Sequence, residues 1–342
     1  MKLFLLRLLS GLALCLVFGS SFGAESLVQA DQRRSVEQTF LTFPEWFLVH
    51  SPAEYASYVA AHPSHDFPFL GHTRQLWSSY GSVIDEQRRR NYPLNAGYHV
   101  MICVIAGSTA VEYAIRSAYE NTIGRLSWAT ASGLTAEDRY GAVVAQDYVD
   151  FIRKEPWYLY DFTDKLKGLW SSNPVWGPDM LRKWERRYAL TTEYLIKAVY
   201  GKLIEVASRS AYDPALMTTQ VVIDRVPTIL PAGVEVVRKL PDGRAVLNLP
   251  RYFDFRVAAT GLAHGGGKLV DIAGNTSVIL VTVWARVDAA YQAGNSRVLF
   301  EQPLLTVPGQ KRIALVLPVS DLSAFLLRAP EQGLKVEHVY DY

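Results

Sequence analysis

The sequence predicts an α+β protein, with a helical N-terminal domain followed by a β-rich domain that ends in a strand–helix–strand unit. Three observations carry this. Apolar residues recur at helical spacing as far as about residue 210. After that point short β-branched runs alternate with Asp-Gly and Gly-rich turns. Hydrophobic residues make up 49% of a 342-residue chain, enough to bury a core and long enough for two domains.

Residues 1–24 carry Lys2 and Arg7, then an apolar stretch from Leu8 to Phe18, then mostly small residues from Gly19 to Ala24. That order is the layout of a secretory signal peptide, and residues 3–23 are also long enough to act as a membrane anchor. The segment therefore predicts export. Without Lys2 and Arg7, Lys+Arg falls from 35 to 33 and matches the 33 Asp+Glu. A neutral chain offers no electrostatic footprint for nucleic acid. Arg88, Arg89 and Arg90 follow Asp85 and Glu86 and read as a solvated helix end. Cys15 lies in the targeting segment. Cys103 then stands alone, without an intramolecular disulfide partner, and its apolar neighbours predict an inert buried thiol.

The helical domain is placed at 31–212 and the β-rich domain at 213–342. Ser51-Pro52-Ala53-Glu54 reads as a helix start with a capping box, and Thr135-Ala136-Glu137-Asp138 as a second. The second helix is expected to stop before Pro156. A helix beginning near Tyr98 is expected to end at Gly124, and the longest helix to open after Gly177-Pro178. The β-type runs are 218–226, 234–239, 244–249, 253–262, 276–286 and 297–305, with a hairpin turn at Asp242-Gly243. Residues 312–319, a short helix over 320–327 and residues 336–340 close the chain. No internal repeat stands out.

Residues 98–118 are nearly continuously apolar. A second membrane span is one reading. The unbroken part is short, however, and Glu112 and Arg116 would lie inside it, so a central buried helix of a bundle is preferred. Glu112, Arg116 and Glu120 share one helix face at four-residue spacing and can form a charge ladder. Glu112 follows the apolar run directly, which predicts burial and pairing with Arg116. A desolvated carboxylate there can also act as a general acid. Glu45 stands among Phe43, Trp46 and Phe47, where a carboxylate in an aromatic cleft suits a sugar-cleaving site as well as a core position. His62, His65 and His72, with Asp66 alongside, are the residue types zinc takes, but Pro63 and Pro68 break the segment and a polar loop is the simpler reading. No cofactor motif is present. His264-Gly265-Gly266-Gly267 lacks a downstream nucleophile elbow and reads as a turn. Trp157, Tyr158, Tyr160 and Phe162, with Trp170 and Trp176, form the densest aromatic patch.

Residues 40–52, 92–125, 180–204 and 336–342 together resemble a group of uncharacterised bacterial envelope proteins. The likeness spans most of the chain after the targeting segment and implies no activity and no site residue. It implies a cell-envelope protein, periplasmic or anchored to the inner membrane facing the periplasm. Three functions stay open. The preferred one is a non-enzymatic protein binding a partner or lipid at the membrane surface. The others are an envelope hydrolase or lyase using Glu112 and Glu45, and an integral membrane protein with a second span at 98–118.

Overall fold

The computed structural model describes residues 26–208, 216–289, 291 and 294–341. The expected targeting segment and the expected domain boundary at residue 212 lie outside them. The architecture is mixed α+β, with the helices first and two antiparallel sheets after them.

Helix α1 (Gln38–Val59) runs straight through Pro44 and Pro52. The expected start at Ser51 is therefore wrong. Ser51 does not cap; its buried hydroxyl lies 2.7 Å from the Tyr113 hydroxyl. Helix α2 (Phe69–Arg89) and helix α3 (Ala96–Tyr119) follow. Gly124 does not end α3. A π-helical stretch, Glu120–Gly124, carries the helix on into a last turn, Arg125–Trp128. Gly124 keeps right-handed dihedrals, and a Cβ there would lie 2.5 Å from Glu120 Oε2. Helix α4 (Ala136–Ile152) begins at the expected capping box. The Thr135 hydroxyl accepts from the Asp138 N–H, and the Asp138 carboxylate accepts from the Thr135 N–H. Helices α5 (Phe162–Ser172) and α6 (Met180–Ser208) complete the first part.

The first sheet has the order β2-β3-β1-β4, built from β1 (Thr218–Ile223), β2 (Glu235–Lys239), β3 (Ala245–Pro250) and β4 (Leu269–Ile272). The second has the order β6-β7-β5-β8, built from β5 (Val278–Arg286), β6 (Arg297–Pro303), β7 (Gln310–Pro318) and β8 (Lys335–Val339). Helix α7 (Phe253–His264) joins β3 to β4, and helix α8 (Val319–Arg328) joins β7 to β8. The two halves thus repeat one unit, three strands, a helix and a strand, with the same strand order. The expectation of no internal repeat is corrected. Its trace survives in residues 244–250 and 312–318, RAVLNLP and RIALVLP, which share Arg, two Leu and the Pro that precedes each helix.

The run 253–262 is helix rather than strand. Phe255, Ala258, Ala259 and Leu262 are buried at three- and four-residue spacing, which only a helix presents to one side. Strand β4 has four residues beside the Gly265–Gly267 turn, too short for its pattern to stand out. Both helices and both sheets share one core, in which Phe255 and Leu262 meet Leu322 and Leu326 between Val221 of β1 and Val281 of β5.

The helical part is not a free-standing domain. A second core joins Phe40, Phe43, Phe47, Leu76 and Ile102 to Leu280, Ala314, Val316 and Tyr340 of the second sheet. Hydrogen bonds stitch the same seam. The Thr39 hydroxyl donates to the Tyr340 carbonyl and accepts from the Leu280 N–H, and the Gln302 amide donates to the Gln75 carbonyl.

Candidate functional site

Three places concentrate chemistry: the seam between helices and sheet, the basic run of α6, and the outer face of α3.

At the seam, α1 turns Trp46, His50 and Glu54 toward the second sheet, and α2 adds His72. Strands β7 and β8 answer with Arg312, Glu337 and His338. Arg312 is 1% exposed. Its Nε and Nη2 donate to the two oxygens of Glu337, each at 2.7 Å, and Nη2 also donates to Glu54 at 3.0 Å. The Trp284 indole donates to Glu337 at 2.7 Å. Trp46 covers His338, with ring centroids 3.6 Å apart, and His50 lies 3.6 Å from Glu337. One guanidinium therefore serves two buried carboxylates, and they are not equal. Burial acts to raise both. For Glu337 the paired Arg312 bonds, His50 and the indole overcome burial and hold the carboxyl well below the usual range. For Glu54, with a single Arg312 bond, burial wins and the carboxyl is pushed up. The histidines stay neutral. Burial, with Arg312 and Arg153 adding to it against the pull of Glu337, lowers His50 to about 4. Burial and then Arg312 lower His72 to about 3. The partners are as much as 258 residues apart, so no local motif announced them.

In α6 the run Arg182, Lys183, Arg186 and Arg187 is buried, and each of the four pairs with an acid. Arg182 donates to Asp138 and Glu185, Lys183 and Arg187 donate to Glu137, and Arg186 donates to Glu120 at 2.8 Å. This network ties the start of α4 and the π turn of α3 to α6.

The sequence candidates fall apart in space. Glu112 is not buried; its side chain is 42% exposed. It does pair with Arg116, at 3.5 Å, but Arg116 also reaches Glu193 at 3.4 Å, and Lys197 bridges Glu112 and Glu193. Glu120 leaves this ladder for Arg186. The apolar run does not bury Glu112 because its outer side faces away from the core. Glu112→Ala is therefore expected to cost less than about 1 kcal/mol, as exposed pairs do, and a urea melt checks it.

Glu45 sits at the other end of α3. Burial pushes its carboxyl up to about 7, against a hydrogen bond with Tyr98 and the charge of Arg251. Tyr98 and Glu112 are 14 residues apart on one helix, about 21 Å along its axis. Glu45 and Glu112 therefore do not share a cleft. The histidines also diverge. His62 stacks on Tyr58, His65 lies beside Asp66 and Trp128, and His72 stacks on Phe67 next to Glu54. Among the described residues no group of His, Cys, Asp and Glu has a metal-binding arrangement. Cys103 is exposed, correcting its expected burial.

Helix α3 differs most from expectation. It is not a central buried helix: within Ala96–Tyr119 only Ile102, Ala106 and Tyr113 are buried. Val100, Val104, Val111 and Ile115 are 49–65% exposed. Together with its extension to Trp128 it is long and apolar enough to cross a membrane, and most of its apolar part is not buried. Helix α6 repeats the pattern, with Leu195, Val199, Leu203 and Val206 each more than half exposed. Scattered exposed apolar residues are ordinary; here they form rows on two long helices. Of the aromatic patch, Tyr160 and Phe162 enter a small core with Tyr194, while Trp170 and Trp176 stay exposed.

No protein-family model, no curated protein and no solved structure matches the chain.

Proposed function

We propose that the chain is a non-enzymatic bacterial cell-envelope protein that is exported and works by binding at the membrane surface. The observation that carries this reading is the exposed apolar face of α3, a helix of bilayer-spanning length and composition with one face packed on the protein and the other uncovered. The targeting segment supports the same setting, since residues 3–23 direct or anchor the chain at the inner membrane, facing the periplasm. The seam network supports a structural use of the buried charges, because Arg312 joins Glu54 and Glu337 across the boundary between helices and sheet.

Export is tested first. Residues 1–30 fused to a reporter active only outside the cytoplasm are expected to give signal, and a silent reporter overturns the localisation. A second reading, an envelope hydrolase or lyase, rests on Glu45 alone, whose raised carboxyl is in the range of a general acid at neutral pH.

A further inference from the structure

The exposed rows of α3 and α6 belong to one surface. Arg116 meets Glu193, Glu112 meets Lys197, and Glu120 meets Arg186. Rising numbers on α3 meet falling numbers on α6, so the helices lie side by side and antiparallel. Measured round each helix at about 100° per residue, these contacts sit on one flank. The core residues Ile102, Ala106 and Tyr113 of α3, and Tyr194 of α6, sit about a quarter turn further round. The exposed apolar rows lie on the far side from the core. Because the helices are antiparallel, that side is the same for both. The result is a two-helix plate that extends about 38 Å from Leu181 to Val206 along α6.

The chemistry of α3 identifies what covers the plate; on α6, Lys202 stands exposed beside the outer row and pairs with Glu205. Between Ala96 and Gly124 the only charged residues are Glu112, Arg116 and Glu120. All three bond across to α6 on the flank between the helices, away from the outer rows. The polar side chains of α3's outer side fold back on their own helix. Ser108 donates to the Ile105 carbonyl, Thr122 to that of Ala118, and Asn121 to that of Ser117. A protein partner would be registered by about one hydrogen bond per 100–200 Å². On α3 these polar groups are already satisfied, as a helix in hydrocarbon needs, while α6 adds the amphipathic rings of exposed Tyr188 and Tyr200. Exposed Trp184 of α6 and Trp170 of α5, in contact with each other, add amphipathic aromatic surface beside the plate. The charged Arg88–Arg90 run ends six positions before Ala96, where α3 begins.

We infer that α3 and α6 form a lipid-binding plate that lies in the plane of a bilayer with its outer rows in the acyl-chain boundary. This rests on the membrane-surface reading above and adds to it the partner, the helices and the orientation. An interfacial helix pair of this kind buries its apolar face roughly 5–10 Å into the bilayer.

The test uses the full chain in phosphatidylcholine vesicles, with Cys15 and Cys103 replaced by serine and a nitroxide placed singly by Val104→Cys, Val111→Cys, Leu195→Cys or Val199→Cys. At all four positions oxygen is expected to reach the spin better than a water-soluble nickel chelate, at similar depth. Nickel access as free as in buffer at both helices overturns the plate. If such a chain still co-sediments with vesicles, the membrane reading survives through residues 3–23. Poor access to both reagents means that protein, such as a second copy, covers the face, and overturns the lipid assignment. Depth climbing steadily along α3, as in a spanning helix, overturns the in-plane orientation. Failure of the export reporter, by contrast, removes the envelope reading itself.

Discussion

Arg312→Met is expected to be among the most destabilising single changes in the protein. It leaves Glu54 and Glu337 facing each other in the seam, 3% and 11% exposed, without the cation that joins them. Removing one partner of a buried ion pair costs roughly 3–5 kcal/mol, a large share of a typical folding free energy of about 5–15 kcal/mol. Arg312→Lys should fall between, because an ammonium cannot keep two parallel bonds to Glu337. The cause is testable by rescue. Adding Glu54→Gln and Glu337→Gln to Arg312→Met removes the orphaned charges and should recover part of the loss. Urea unfolding of the four proteins checks the order. If Arg312→Met unfolds at the parent's urea concentration, the seam is not held by this network.

Acid should weaken the same seam. His50 titrates near 4 and His72 near 3 in the folded chain, against 6.5 in an unfolded one. Between those values the unfolded chain holds protons that the folded chain does not. Stability therefore falls as pH falls through 6.5, and is fully present above it. Between pH 7.5 and 5 these two histidines together remove roughly 4 kcal/mol. His338, also lowered by burial, adds to the loss. Glu45 and Glu54 act in the opposite direction, since their raised carboxyls take up protons in the folded chain first, and they offset part of it. The expected result is a lower urea midpoint at pH 5 than at pH 7.5. A His50→Gln variant should show a shallower pH dependence. A midpoint that rises on acidification would mean that the carboxylates dominate.

These effects explain which parts of the molecule were legible in the sequence. Capping at Thr135, the Asp242-Gly243 turn, most strands and the final strand–helix–strand unit follow from local chemistry, and local chemistry is what a sequence displays. The failures share a cause. Ser51 and Pro52 look like a helix start, yet tertiary contacts, the Tyr113 hydroxyl among them, hold α1 continuous through them. The helix at Phe253–His264 is rich in residues that also suit strands, and packing against α8 decides the matter. Nothing near Arg312 predicts that it will be buried, because Glu54 arrives from the far end of the chain. The repeat of the sheet unit is visible only as RAVLNLP and RIALVLP, too short to stand out alone.

Residues 98–118 show the same limit more sharply. Their composition fits a core helix and a lipid-facing helix equally well, since both are apolar. What separates the two is where the neighbours lie. Helices α1 and α2 cover one side of α3 and leave the other open, so its valines meet whatever surrounds the protein. Glu112 was expected inside for the same reason, and it emerges half-exposed beside Lys197.

The most direct test of the central claim is vesicle flotation of a chain beginning at Glu25. Such a chain lacks the apolar N-terminal stretch but keeps α3 and α6. The membrane-surface account predicts that it rises through a sucrose gradient with phosphatidylcholine vesicles. It also predicts that Val104→Asp combined with Val199→Asp leaves the chain folded by circular dichroism and at the bottom of the gradient. A folded chain from Glu25 that stays at the bottom with vesicles present would contradict the account.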